Sequence, residues 1–473
     1  MRRGAAILAT LVALAPAGCA IGPDYKRPAD LPAPAQYRGV LSPQQADSFA
    51  DTEWSDAFND PELRGVLEAA LRNNLDLRLA FARVEEYRGY ARVARSYLGP
   101  EVRGVGNTAP STFGKENSSY SLGLALNWEL DLFGRLRRSN EAARAQLLAS
   151  EDAARGVMNT LVANVAATWF QLRELDEEVA IIQRTIDSQS ASLALVRSLK
   201  RNGVASATEE QQALSQLAAT RAQLPLTEEQ LVQTENLLRF LLGAEPAAVP
   251  RTPLPQGIPV PAGIPVGLPA QLLSRRPDLR QLEDQLHAAT ANLGVAESTR
   301  FPYLTVGLTS FFGTVSPEIR HLIDAKDPAT SLFSIGPYVD IPIFQSGRGT
   351  GNVEAAKAQL KEADLAYRRG LLQAYRETAD ALVATDKVRS VIVESQVGAE
   401  AARRVLDLQV KRYRAGVASY LEVLDAERQL FAAEINLARA KLGQLHGYVE
   451  LYRALGGGWS DAEIKRLRGS AAP

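Results

Sequence analysis

Cysteine occurs once in 473 residues, at Cys19, so a disulfide within one chain is excluded. Histidine is nearly as scarce. His287, His321 and His446 stand too far apart for the spacings that metal centres use, so no metal is expected. An excess of one charge is missing too: 53 basic and 54 acidic residues leave a net charge of −1, which offers nothing for a nucleic acid to bind. No run of 18 or more apolar residues follows the N-terminal segment, so no membrane-spanning helix is expected. A membrane could then be met only through a lipid or a β-barrel. The glycine-rich GRGTG at 347–351 lacks the full G-x-G-x-x-G and follows no βαβ pattern. It reads as freedom for a strand-to-helix turn, and neither catalysis nor a cofactor is expected.

What is present begins at the N-terminus. Arg2 and Arg3 precede an apolar run over 5–17, the pattern of a secretory signal peptide. Gly18-Cys19 then looks like a lipoprotein cleavage site, at which Cys19 becomes the acylated N-terminus. Pro16 stands where such sites usually carry Leu, and ordinary cleavage beside a bystander cysteine is the alternative. On this reading residues 1–18 are the signal peptide and 19–60 a lipid-anchored segment.

The rest of the chain repeats itself. Leu71, Asp76, Leu77, Arg78, Val93, Ala94 and Pro100 recur 202 positions later as Leu273, Asp278, Leu279, Arg280, Val295, Ala296 and Pro302. Further on, EAARAQL at 141–147 returns as EAAKAQL at 354–360, and GVAS at 203–206 returns at 416–419, now at an offset of 213. The second half is thus 11 residues longer between Pro100 and Gly134, as a surface loop would allow. The expected units are a first repeat at 61–243, a linker at 244–267, a second repeat at 268–456 and a tail at 457–473. The stretch 244–270 holds 8 prolines and reads as extended.

Each repeat reads as helix, two strands, helix, helix. The first helices are expected over 61–98 and 268–300. Strands follow in EVRGVGNTA and SYSLGLALNWELDLF, then in YLTVGLTSFFGT and SLFSIGPYVDIPIF. From Arg135 to Lys200 there is no proline and one glycine, Gly156. A stripe runs Leu161, Val165, Thr168, Leu172, Leu175, Val179, Ile182, Ile186, Leu193, Val196 in steps of mostly three and four, which suits coiled-coil packing. At ~1.5 Å per residue such a helix reaches roughly 100 Å. GVAS ends the long helix in both repeats and a helical run follows at once, so Gly203 and Gly416 mark hairpin tips. Pro225 is expected to kink the first return helix.

Four strands cannot close a membrane barrel alone, whereas three copies would supply twelve. Tyr120, Trp128, Phe133, Tyr303, Phe311, Phe312, Phe333, Tyr338 and Phe344 lie in or beside the strands, where interfacial girdles and core packing are both open readings.

CAIGPDYKRP after the signal, RYRAGVASYLEVLDAERQLF at the second tip and LYRALGGGW at 451–459 resemble outer-membrane efflux proteins of the TolC/OprM type, in the lipoprotein branch that serves resistance-nodulation-division pumps. The resemblance covers nearly the whole mature chain. It implies a mainly α protein with a small β part: a homotrimer with a 12-stranded β-barrel, four strands per protomer, in the outer-membrane lipid and a long α-helical barrel in the periplasm. It also implies an exit duct docked by a periplasmic membrane-fusion adaptor protein, whose hairpins meet Gly203, Val204, Gly416 and Val417. Leu421 and Asp425 match the leucine and aspartate that constrict the closed mouth of OprM-like proteins, and Tyr413 matches a tyrosine of the mouth's hydrogen-bond network. Ala418 stands where TolC carries a gating arginine, so that contact does not transfer. A type I secretion channel and a coiled-coil scaffold are the rival readings. Within the hairpin itself, Leu421 could instead pack inward and Asp425 be a solvated charge.

Overall fold

In a computed structural model, the structure describes residues 20–31, 34, 49, 58, 60–109, 119–252, 272–299, 305–316, 331–340 and 343–457. Cys19, the signal segment, most of the linker and the end of the tail lie outside the described residues. The order is α1 (Pro61–Asn73), α2 (Leu75–Ser96), β1 (Glu101–Ala109), β2 (Ser119–Leu130), α3 (Arg135–Arg201), α4 (Ala207–Leu241), α5 (Leu272–Arg275), α6 (Pro277–Ser298), β3 (Thr305–Ser316), β4 (Ser331–Asp340), α7 (Arg348–Arg414) and α8 (Tyr420–Ala454). The duplication is exact in helix length: α3 and α7 each have 67 residues, α4 and α8 each have 35. No described helix is long and apolar enough to cross a membrane.

The chain divides into two compact units that cut across the repeats, one of residues 1–31, 82–153 and 278–370, the other of 32–81, 154–277 and 371–473. The first contains the sheet. Its strands pair antiparallel in the order β1-β2-β3-β4, with β1 and β4 at the edges. Leu122, Leu124 and Leu126 of β2 align with Gly106, Gly104 and Val102 of β1 and with Thr314, Phe312 and Ser310 of β3. Because side chains alternate across a strand, one face collects Val102, Leu122, Leu124 and Phe312, all exposed in the single chain. The opposite register positions are mixed: Arg103, Asn107, Ser121, Gly123 and Asn127 stand there with Val105, Ala125 and Val315. An exposed apolar face set against one that carries the charged and amide residues of these strands fits the alternation of a membrane barrel wall.

Two short segments hold this unit together. Asp131, just past β2, starts α3 by accepting from the backbone N–H groups of Leu136 (3.1 Å) and Arg137 (2.8 Å). The strap from Ala20 to Leu31 docks beside it: Ile21 N–H donates to Phe133 O at 3.0 Å, and Arg138 donates to Asp24 at 2.7 Å and to Gly22 O at 3.1 Å. Gly22 sits so close to Gly294 that a Cβ there would come within 2.4 Å of its Cα. Tyr25 stacks on His287 at 4.6 Å and Arg27 clasps the Glu283 carboxylate at 2.8 and 2.6 Å.

In the second unit the helices expected over 61–98 and 268–300 are each broken. Asn74 interrupts the first: its carboxamide oxygen accepts from Leu77 N–H at 2.9 Å and so starts α2. Arg276 interrupts the second, because Pro277 has no N–H and drives the residue before it out of the α region. The two breaks occupy equivalent repeat positions and do the same work. Asn74 Nδ2 donates to Leu241 O at 2.9 Å and Arg276 Nη1 to Ala454 O at 3.2 Å, each satisfying an orphan carbonyl at the end of a return helix. Below them lies an apolar core that includes Leu63, Leu67, Leu77, Trp169, Phe170 and Leu238. Trp169 Nε1 donates to Asp60 at 3.1 Å, and the same Asp60 caps α1 through Glu62 and Leu63 N–H. The stripe predicted along α3 is buried at nine of its ten positions, with Val179 half-buried. α4 runs through Pro225 as one helix.

Candidate functional site

The two tips are built alike. Gly203 has φ +76° and Gly416 φ +73°, the left-handed conformation that ends a helix cheaply only in glycine. At the first, Gly203 N–H reaches Lys200 O (3.0 Å) and Val204 N–H reaches Leu199 O (2.9 Å); at the second, Gly416 N–H reaches Tyr413 O and Val417 N–H reaches Arg412 O, both at 3.0 Å. This is the Schellman pattern twice over. Ser206 and Glu209 then start α4 with a reciprocal capping box, and Glu422 accepts from Ser419 N–H at 3.1 Å to start α8.

Val204 and Val417 are 71% and 65% exposed, so each tip presents a bare valine to its surroundings. Leu421 is 56% exposed and Asp425 is exposed one turn further along, its carboxylate accepting from Gln429 at 2.6 Å. Leu421 therefore does not pack inside the hairpin. Tyr413 does: it is buried with Tyr420, the rings 5.4 Å apart, in a cluster with Ile182, Ile186, Leu193, Val196, Ala213, Leu217, Val423 and Leu424. Gly203, Val204, Gly416, Val417 and Leu421 are thus on the surface of the tips, while Tyr413 belongs to the wall beneath. Burial and then the Glu209 charge push the Tyr413 hydroxyl up, and burial and then Glu427 do the same for Tyr420. The tips differ in charge. Glu210 bridges Lys200 (2.6 Å) and Arg197 (3.0 Å) at the first, which holds its carboxyl below the usual range.

Sequence reasoning missed a row of buried polar groups above the tips. Glu174, Glu178, Gln189 and Glu427 are all nearly inaccessible. Burial, then a shared hydrogen bond with Glu178, pushes Glu174 up to about 8, against the pull of Arg439, which donates to Glu178 at 2.8 Å. Gln189 had a visible signal. The α3 stripe steps from Ile186 to Leu193 in one stride of seven, and Gln189 is the residue that stands in the gap.

A doubled helical hairpin with exposed tips, joined in one chain to an amphipathic four-stranded antiparallel sheet, defines the class: a membrane-barrel subunit with a helical extension. The family described as outer membrane efflux protein matches residues 66–244 and 268–457. The chain belongs to the outer membrane efflux protein family. It is 34% identical to the toluene efflux pump outer membrane protein TtgF of Pseudomonas putida, over 97% of this chain and 98% of that one. Outer membrane protein OprJ of Pseudomonas aeruginosa is also 34% identical, over 96% of each chain. Among solved structures, the outer-membrane channel OprN superposes with a TM-score of 0.85 at 31% identity, covering 93% of this chain and all of that one. The open state of the Neisseria gonorrhoeae MtrE channel superposes with a TM-score of 0.81 at 29% identity, covering 93% and 98%. The chain is an outer-membrane exit duct of an efflux system.

Proposed function

We propose that three copies of this chain close a 12-stranded barrel in the outer membrane, that Cys19 carries the anchoring lipid, and that an adaptor of an inner-membrane resistance-nodulation-division pump docks on the tips. The observation that carries the reading is the sheet. Its outward apolar residues need lipid, and its edge strands β1 and β4 each need another chain. Cyclic closure supplies both at once without leaving an open edge. What supports the lipid assignment is Gly18-Cys19 at the end of the apolar run; Ala20 packs against Gly134, four residues beyond the end of β2. Gly203, Val204, Gly416 and Val417 form the docking surface, two tips per protomer and six in a trimer, and Leu421 with Asp425 makes the constriction of the mouth. The cargo is set by the pump, and catalysis has no part in the duct.

The test is native mass spectrometry of the full chain extracted from outer membranes. Three protomers, each acylated at Cys19, is the expected result. A monomer, or a mature N-terminus without Cys19, would overturn the corresponding part of the reading.

A further inference from the structure

Among the buried polar atoms of the second unit, three without a hydrogen-bond partner fall on two residues: both amide atoms of Gln189, which is 2% exposed, and Oε2 of Glu427, 3% exposed. Both residues line one cleft of about 370 Å³ between α3, α7 and α8. That volume lies at the small end of ligand pockets, enough for a compact guest. Leu406, Leu430 and Phe431 give the cleft apolar walls.

The charges around it decide what the guest is. Arg184 at the lip is paired with Glu177 at 3.3 Å, and Arg403 with Glu434 at 2.5 Å. Glu427 has no cation. Its Oε1 accepts from Ser192 Oγ at 2.7 Å, and its other oxygen is buried with no hydrogen-bond partner among the described residues. A buried carboxyl without a counter-ion is costly unless the proton stays on, and burial accordingly raises the Glu427 carboxyl. A cationic guest supplies the missing partner, Gln189 Oε1 accepts a second N–H, and Phe431 lines the cleft beside them. The terminal torsions of Glu and Gln are broad, so a small rotation aims these oxygens into the cleft.

We infer that the cleft between α3, α7 and α8 is a binding site for one small organic cation, an ammonium or guanidinium on an apolar stem. Glu427 is its counter-ion, Gln189 its second acceptor and Phe431 its apolar wall.

The test uses the purified full chain in detergent at fixed salt, titrated calorimetrically with 2-phenylethylamine, with phenylethylguanidine and with the neutral 2-phenylethanol. The two cations should bind saturably and the alcohol at least about tenfold more weakly. Glu427→Gln, which keeps the shape and removes the charge, should cost the cations about tenfold or more. Ser188→Trp, a change at the exposed lip, should block the cleft while leaving the melting temperature of the empty protein unchanged, and it decides the matter if Glu427→Gln does not fold. No saturable binding, equal binding of amine and alcohol, or wild-type affinity in both variants would overturn the assignment. So would binding of a helical arginine-bearing peptide in the absence of binding by either free cation, since the cleft would then be a socket for a protein side chain.

Discussion

Gly416 offers a perturbation whose cost can be worked out atom by atom. Its φ is +73°, and a Cβ built on it meets no atom within 4 Å. Replacement therefore adds no clash, only the penalty of a left-handed L-residue, about 1–2 kcal/mol. Valine stands at the upper end because its branched Cβ also restricts χ1. That penalty lowers the population of the native turn by roughly 5- to 30-fold relative to alternatives, and it falls on the tip alone. Gly243 is the internal control. It too is left-handed, at φ +65°, but a Cβ there comes within 2.5 Å of Asn73 O, which is backbone and cannot swing away. Gly243→Ala should lower the melting temperature more than Gly416→Val, even though alanine is the smaller residue. Gly416→Val should reach the outer membrane at normal levels, and lose both efflux-dependent resistance and site-specific cross-linking to the adaptor. Full resistance with full cross-linking at wild-type abundance would refute docking at this tip.

Leu421→Ala combined with Asp425→Ala should raise single-channel conductance in planar bilayers and weaken cation preference, because an apolar ring resists wetting and a carboxylate ring favours cations; unchanged conductance would put the gate elsewhere. Glu174 makes stability depend on pH in a definite direction. Its folded-state pKa of about 8 lies above the ordinary 4.5, so its contribution is complete below the ordinary value and is lost as pH rises through about 8. Thermal unfolding between about pH 5 and pH 9 should show stability falling for the wild type, with a shallower fall in Glu174→Gln; parallel profiles would mean that Glu174 keeps its ordinary pKa.

The parts of this molecule that follow from backbone chemistry were open to reading. Gly203 and Gly416 declare their turns because no other residue takes that φ so cheaply, and the α3 stripe declares its buried face by its spacing. The strand pairs showed through alternation and through their equivalent places in the two halves. What stayed hidden depends on partners far away in sequence. Asn74 looks like an ordinary polar residue inside a helix, and only Leu241 O, 167 positions later, gives its side chain a reason to interrupt one. Pro277 could have announced the matching break. Leu421 and Asp425 share an exposed face, which one chain cannot distinguish from plain solvation, so their role rests on family likeness and awaits the bilayer experiment. Glu427 was invisible because polar residues in a helix are expected on the outside, and nothing local says that it points in; Gln189 showed only as the residue in the gap of the α3 stripe.

The unpaired edges of the sheet also have a kinetic consequence. On the proposed assembly, in which β1 and β4 find their neighbours on other copies, a protomer finishes folding in a step that depends on encounter. The rate of that step rises faster than linearly with the amount of chain waiting at the membrane. Halving synthesis should therefore cut the yield of finished channels by more than half, and lengthen the time during which bare edges can pair wrongly. For such a protein gene dosage acts on the rate of assembly, and a strain that makes little of it is penalised twice.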